Sequence, residues 1–164
     1  MDKNLEALSE KIGNLLKSKG LMLATAESCT GGWVGKVITD ISGSSHWYDR
    51  GFITYTNQAK QEMLGVDADT LAQFGAVSEQ TVRQMAEGAI THSHADIALA
   101  ISGIAGPHGD TPEKPLGMVC LAWAGKSFAT FTRTEYFKGD REQVRYQAVV
   151  TALQGIVECL EAKR

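Results

Sequence analysis

LMLATAESCTGGWVGKVITDI, residues 21–41, reads as a strand, a turn and a helix in immediate succession. Leu21 to Ala26 is a short apolar run of the kind that forms a buried strand. Glu27 to Gly32 is polar and closes on two glycines, as a turn does. Trp33, Val34, Val37, Ile38 and Ile41 then recur at helical spacing, and Gly43 stops the pattern. A strand that feeds directly into a helix is the building unit of α/β folds.

The flanking sequence repeats that alternation. Leu5, Leu8, Ile12, Leu15 and Leu16 share one face of a helix that Gly20 ends. After a loop at Ser42 to Ser45, Trp47 to Tyr55 is rich in aromatic and β-branched residues and reads as a strand. Asn57 to Leu64 reads as a helix closed by Gly65, and Asp67 or Asp69 can cap another short one. Ser78-Glu79 opens a helix that carries Val82, Met85, Ala86 and Ala89. Ile97 to Ile101 is a second buried strand, followed by a long loop rich in glycine and proline from Ser102 to Pro115. Gly117–Ala124 and Ser127–Phe137 form a hairpin about Gly125-Lys126. Asp140 caps a last helix, whose core side holds Val144, Ala148, Leu153, Ile156, Val157 and Leu160. The expected architecture is α/β: a three-layer α/β/α sandwich with a mixed β-sheet, built as a single domain over residues 1–164.

Composition narrows the function. Of the 164 residues, 43% are hydrophobic and 21% charged, which is globular and excludes wholesale disorder. The net charge of −3 argues against a nonspecific nucleic-acid binder, whose surface would be basic. No apolar run approaches the ~20 residues that span a bilayer, and the N-terminus is charged and helical in pattern, so no membrane and a cytoplasmic location are expected. Three cysteines without a Cys-x-x-Cys, and histidines His92 and His94 only two apart, suggest neither a disulfide framework nor a metal site.

In α/β sheets, ligands gather where strands end and helices begin, which draws attention back to Glu27–Gly32. Ser28 and Thr30 supply hydroxyls there, Cys29 a thiol, and the turn from Ser28 to Gly32, closed by Gly31 and Gly32, free backbone amides suited to an anion or oxyanion. Capping of the helix by Ser28 or Thr30 is the plainer reading of the same residues. A nucleophilic serine needs a base. Lys36 stands about 12 Å along the helix and is out of reach. Lys60 follows the next strand, whose end can lie beside the turn, and Tyr55 brings a phenol to the same strand end. Ordinary roles, a solvated lysine and a core tyrosine, compete with these. Ser102, Gly103, Ala105 and Gly106 form a small-residue loop that allows close backbone approach to a ligand. Arg141 and Arg145 sit one turn apart at the start of the last helix, where cations oppose the macrodipole and so hint at a bound anion such as phosphate; pairing with Asp140 or Glu142 is the alternative.

These segments carry a resemblance. Thr25 to Ser45, Tyr55-Thr56-Asn57-Gln58-Ala59-Lys60, Gly75-Ala76-Val77-Ser78 and Ser102-Gly103-Ile104-Ala105-Gly106-Pro107 resemble, in that order, the CinA C-terminal family in its stand-alone form. The resemblance implies hydrolysis of nicotinamide mononucleotide to nicotinate mononucleotide and ammonia, in pyridine nucleotide recycling. It implies a Ser/Lys mechanism with neither metal nor cofactor. Ser28 matches the nucleophile, Lys60 the general base and Tyr55 an assisting group. The glycine-rich loop and Arg141 or Arg145 match the substrate-binding elements. The expected partners are a small-molecule nucleotide substrate and a second copy of the chain as a homodimer. Two other readings remain: a non-catalytic nucleotide-binding or regulatory module, and an amidase that uses Cys29 as its nucleophile.

Overall fold

Alternating large and small side chains along the central strands decide how the layers form. In β1 (Leu23–Glu27), β3 (Ile97–Gly103) and β4 (Met118–Gly125) successive side chains point to opposite faces. One face carries Leu23, Ile97, Leu99, Ile101, Val119, Leu121 and Trp123, and the other carries Ala24, Ala26, Ala98, Ala100, Cys120, Ala122 and Ala124. The computed structural model describes residues 2–162. Met1, Lys163 and Arg164, the ends of the expected 1–164 domain, lie outside the described residues.

The strands, with β2 (Tyr48–Ile53) and β5 (Phe128–Tyr136), form one mixed sheet in the order β2-β1-β3-β4-β5. β1 pairs in parallel with β2 and β3, whereas β4 and β5 complete the sheet antiparallel. The large-residue face is covered by α1 (Lys3–Lys19), α2 (Trp33–Thr39) and α6 (Arg141–Glu161). The small-residue face receives α5 (Glu79–Thr91), backed by α3 (Asn57–Leu64) and α4 (Ala68–Phe74). Alanines on that face let α5 lie close against β3 and β4. The expected three-layer α/β/α sandwich with a mixed sheet is thus the observed one.

Local signals account for the element ends. Ser78 and Asp140 cap α5 and α6, Asp140 in a capping box with Gln143. Gly20 and Gly65 end α1 and α3 in the left-handed conformation. Several boundaries differ from the sequence reading, among them that of β3, which runs on through Ser102 and Gly103 where the loop was expected to begin. β2 stops at Ile53 rather than Tyr55, because Thr56 turns its side chain onto the Ala59 amide and starts α3. Glu27 is the last residue of β1 rather than the first of the turn, paired with Ile53 and Ile101. The expected loop at Ser42–Ser45 runs into a 3₁₀ turn at Ser44–His46, which seats Trp47 in the core.

Layer contact is close where α6 crosses β4. A Cβ on Gly155 would stand 2.1 Å from the Trp123 ring, and the indole N–H donates to the Ala152 carbonyl at 3.0 Å. Gly155→Ala therefore overpacks a closed interface. The expected cost is roughly 1–3 kcal/mol, or a Tm drop of about 2–4 °C per kcal/mol. A thermal unfolding scan checks it, and an unchanged Tm would mean that α6 can slide.

Candidate active site

The carboxyl ends of the three parallel strands meet at one cavity of about 270 Å³. Ser28 follows β1, Tyr55 and Lys60 follow β2, and Ser102 and Gly103 close β3. The first link is the backbone: the Ser28 amide donates to the Ile101 carbonyl at 3.0 Å, and the Thr54 amide to the Glu27 carbonyl at 2.8 Å. These extensions of the ladder bring three chain segments to one place.

Lys60 is the unusual group. It sits in the first turns of α3 with only 1% of its surface exposed. Its Nζ lies 3.0 Å from Ser28 Oγ and donates to the carbonyls of Thr54 at 2.8 Å and Tyr55 at 3.3 Å. Among the described residues no carboxylate lines the cavity. Burial pulls the amine below the ordinary lysine range, opposed only by the neighbouring Cys29 sulfur. The Cys29 thiol also lines the cavity, but burial pushes its pKa up to about 11, so at neutral pH it keeps its proton. Lys36 pairs with Asp40 on the surface, away from Ser28.

The turn between β1 and α2 has a geometry that only glycine accommodates without strain: φ is +59° at Gly31 and +103° at Gly32. The amides of Gly31 and Gly32 are not open to a ligand as the sequence suggested. The Gly31 amide donates to the Ser28 carbonyl, and the Gly32 amide to Glu27 Oε1. Thr30 is fully buried and donates its hydroxyl to the same oxygen at 2.6 Å. Thr30, Gly31 and Gly32 thus shape the turn and do not line the cavity.

The remaining candidates divide. Ser102, Gly103 and Ala105 line the cavity. Gly106 takes part through its carbonyl, which accepts from Arg141 Nη1 at 2.8 Å. Arg141 lines the cavity too, and its Nη2 stands 3.5 Å from the Tyr55 hydroxyl. The Tyr55 ring is 62% exposed at the rim, and it is its backbone carbonyl that touches Lys60. Arg145, one turn on, faces away from the cavity and donates to the carbonyls of Cys29 and Thr30. Neither arginine pairs with Asp140 or Glu142. Sequence reasoning gave no role to Glu27 or His108, and quoted Ala76 and Val77 only within the resemblance, with no place on the cavity wall. A glutamate closing an otherwise apolar strand was the signal for the first. Among the described residues no group of three or more His, Cys, Asp or Glu could hold a metal ion, and no helix is long and apolar enough to cross a membrane.

Fold and site together define an α/β protein with a serine hydroxyl set against a buried lysine amine at the carboxyl end of its parallel strands. The chain belongs to the CinA C-terminal domain family, whose model matches residues 5–160. It is 56% identical over 153 residues to nicotinamide-nucleotide amidohydrolase PncC of Escherichia coli (strain K12), covering 93% of each chain. It is 54% identical over 153 residues to the protein of the same name from Enterobacter agglomerans, again over 93% of each. Among solved structures it is similar to the competence/damage inducible protein CihA from Agrobacterium tumefaciens, with a TM-score of 0.94 and 44% identity over 99% of this chain and 98% of that one.

Proposed function

We propose that this chain is a nicotinamide-nucleotide amidohydrolase that converts nicotinamide mononucleotide and water to nicotinate mononucleotide and ammonia, and so serves pyridine nucleotide recycling. The observation that carries the reading is the 3.0 Å approach of a buried lysine amine to the Ser28 hydroxyl, in a family whose similar members bear that name.

A neutral Lys60 amine has two N–H groups and one lone pair. The carbonyls of Thr54 and Tyr55 take the two N–H groups, which leaves the lone pair to accept the Ser28 proton. Ser28 Oγ then attacks the carboxamide carbon while Lys60 takes its proton. With the Gly31 and Gly32 amides spent inside the turn, the developing oxyanion falls to the amide of Cys29, the residue after the nucleophile and the other turn residue on the cavity wall. Protonated Lys60 passes its proton to the departing nitrogen, and ammonia leaves. Water attacks the resulting ester with Lys60 again as base, and the carboxylate product is released with Ser28 restored. Arg141 and His108, both on the wall, meet the phosphate. The chain acts on a small molecule, and the homodimer expected of it is read by sedimentation.

Ammonia release from nicotinamide mononucleotide, measured beside plain nicotinamide and the riboside, tests the proposal. The mononucleotide should be the good substrate. The riboside should lose at least about 10-fold in kcat/KM, because remote binding energy holds the reacting amide in place. Tight binding of the mononucleotide without ammonia release would restore the regulatory-module reading. Equal kcat/KM for riboside and mononucleotide would remove the phosphate from recognition.

A further inference from the structure

The Ser28 turn is gripped from two sides by residues that do not touch the cavity. On the amide side stands the Glu27 carboxylate, 2% exposed. Its Oε1 accepts from the Thr30 hydroxyl at 2.6 Å, the Gly32 amide at 3.2 Å and the Val34 amide at 3.0 Å. Its Oε2 accepts from the Gly35 amide at 3.1 Å. The carboxylate therefore spends itself on the first amides of α2 and on the turn, not on a ligand. On the carbonyl side stands Arg145 of α6. Its Nε donates to the Cys29 carbonyl at 2.9 Å and its Nη2 to the Thr30 carbonyl at 3.2 Å. Its guanidinium lies over the Trp33 ring, 5.5 Å from the ring centre, a cation–π contact that adds a further hold on the fork.

We infer that Glu27 and Arg145 are positioning residues for Ser28: the carboxylate holds the turn by its donors and the guanidinium by its carbonyls, and Arg145 does not take the substrate's phosphate. The inference rests on the amidohydrolase reading and adds to it the parts that aim the nucleophile. Ser28 carries its hydroxyl on a turn whose two glycines sit at positive φ. Such a backbone keeps one shape only where its surroundings hold it. The Cys29 carbonyl shares its peptide plane with the Thr30 amide, and the Thr30 carbonyl with the Gly31 amide, so the hold of Arg145 on both carbonyls fixes the orientation of the two peptides that follow Ser28–Cys29. A displacement of about 1 Å at a reacting atom can cost about 10²-fold in rate. That is the size of effect these two side chains can exert without contacting substrate.

The test compares Arg145→Met, Arg141→Met, Glu27→Gln and Glu27→Leu with the wild-type protein on mononucleotide and riboside, with Tm recorded for each. A second readout is the rate at which a fluorophosphonate probe labels Ser28, followed by intact mass. In that step the P–F bond breaks as the Oγ–P bond forms, fluoride leaves, and the hydroxyl proton passes to Lys60. Arg145→Met is expected to lower kcat about 10²-fold, equally for both substrates, with KM within about 3-fold and labelling slowed in step. Arg141→Met should instead raise KM for the mononucleotide and not for the riboside. Glu27→Gln keeps the three contacts of Oε1 and should lose about 10-fold or less, whereas Glu27→Leu loses at least as much as Arg145→Met. Should Glu27→Leu fail to fold, Thr30→Val removes one donor at constant shape and should slow kcat and labelling together. The inference is overturned if Arg145→Met keeps wild-type kcat, or raises KM for the mononucleotide alone, or if folded Glu27→Leu labels and turns over at the wild-type rate. The amidohydrolase reading stands or falls separately, on turnover by the wild-type protein.

Discussion

Ser28→Ala is expected to abolish ammonia release from nicotinamide mononucleotide, by at least about 10⁴-fold in kcat, while leaving the substrate's Kd within a few-fold. The hydroxyl is one of the two groups that meet at 3.0 Å, and its removal leaves Lys60 without the nucleophile it would activate. Alanine fits the same turn, since Ser28 holds its place by backbone bonds to Ile101 and Gly31 rather than by its side chain. Binding should therefore survive, as calorimetry with the inactive variant will show. Cys29→Ala is the control. Its thiol lines the same cavity, yet burial keeps it protonated at neutral pH, with a pKa of about 11. The expected loss is less than about 10-fold, from repacking beside the nucleophile. An inactive Cys29→Ala beside an active Ser28→Ala would transfer the nucleophile's role to the thiol.

Lys60→Met and Lys60→Arg should be inactive alike, each by about 10³-fold or more, the upper range for loss of a general base. Arginine retains positive charge but does not release a proton near neutral pH. In the wild-type protein, kcat/KM should rise with pH through an apparent pKa below the ordinary lysine value of about 10.4, because burial disfavours the charged amine. Stability carries the same signature. Between the lowered folded value and about 10.4 the unfolded chain binds a proton that the folded one does not, so stability rises with pH across that window. Below the folded value both states are protonated and the cost of burying the charge is constant. Lys60→Met lacks the rise. Denaturant melts of the two proteins between neutral pH and about pH 10 test this: parallel curves would mean that Lys60 is charged in the folded protein throughout. An active Lys60→Arg would exclude Lys60 as the base.

Most of the fold was legible because its signals are local. Leu5, Ile12 and Leu16 at helical spacing, Gly20 and Gly65 as helix stops, and Asp140 as a helix cap each act within a turn of the chain. The site was legible only in part. The strand-to-helix rule pointed to the Ser28 turn, and the position of Lys60 after the next strand made it a candidate. The expectation that Gly31 and Gly32 would offer free amides failed to anticipate Glu27, which stands next to the turn in sequence and takes the donors itself. Arg141 and Arg145 looked equivalent, one helical turn apart. In the structure one lines the cavity and the other clamps the turn.

The amino-acid order by itself determined the sequence of elements, the alternation of large and small residues that separates the two helical layers, and the places where glycine permits a turn. Each depends on steric and packing preferences that a residue shares with neighbours a few positions away. Only the tertiary structure decided that Lys60 meets Ser28 across 32 positions and that Arg145 meets Cys29 across 116. Parallel pairing of β1 with β2 and β3 sets those meetings. That pairing comes from burying the whole sheet between its helices, an energy spread over the core rather than carried by the residues that meet.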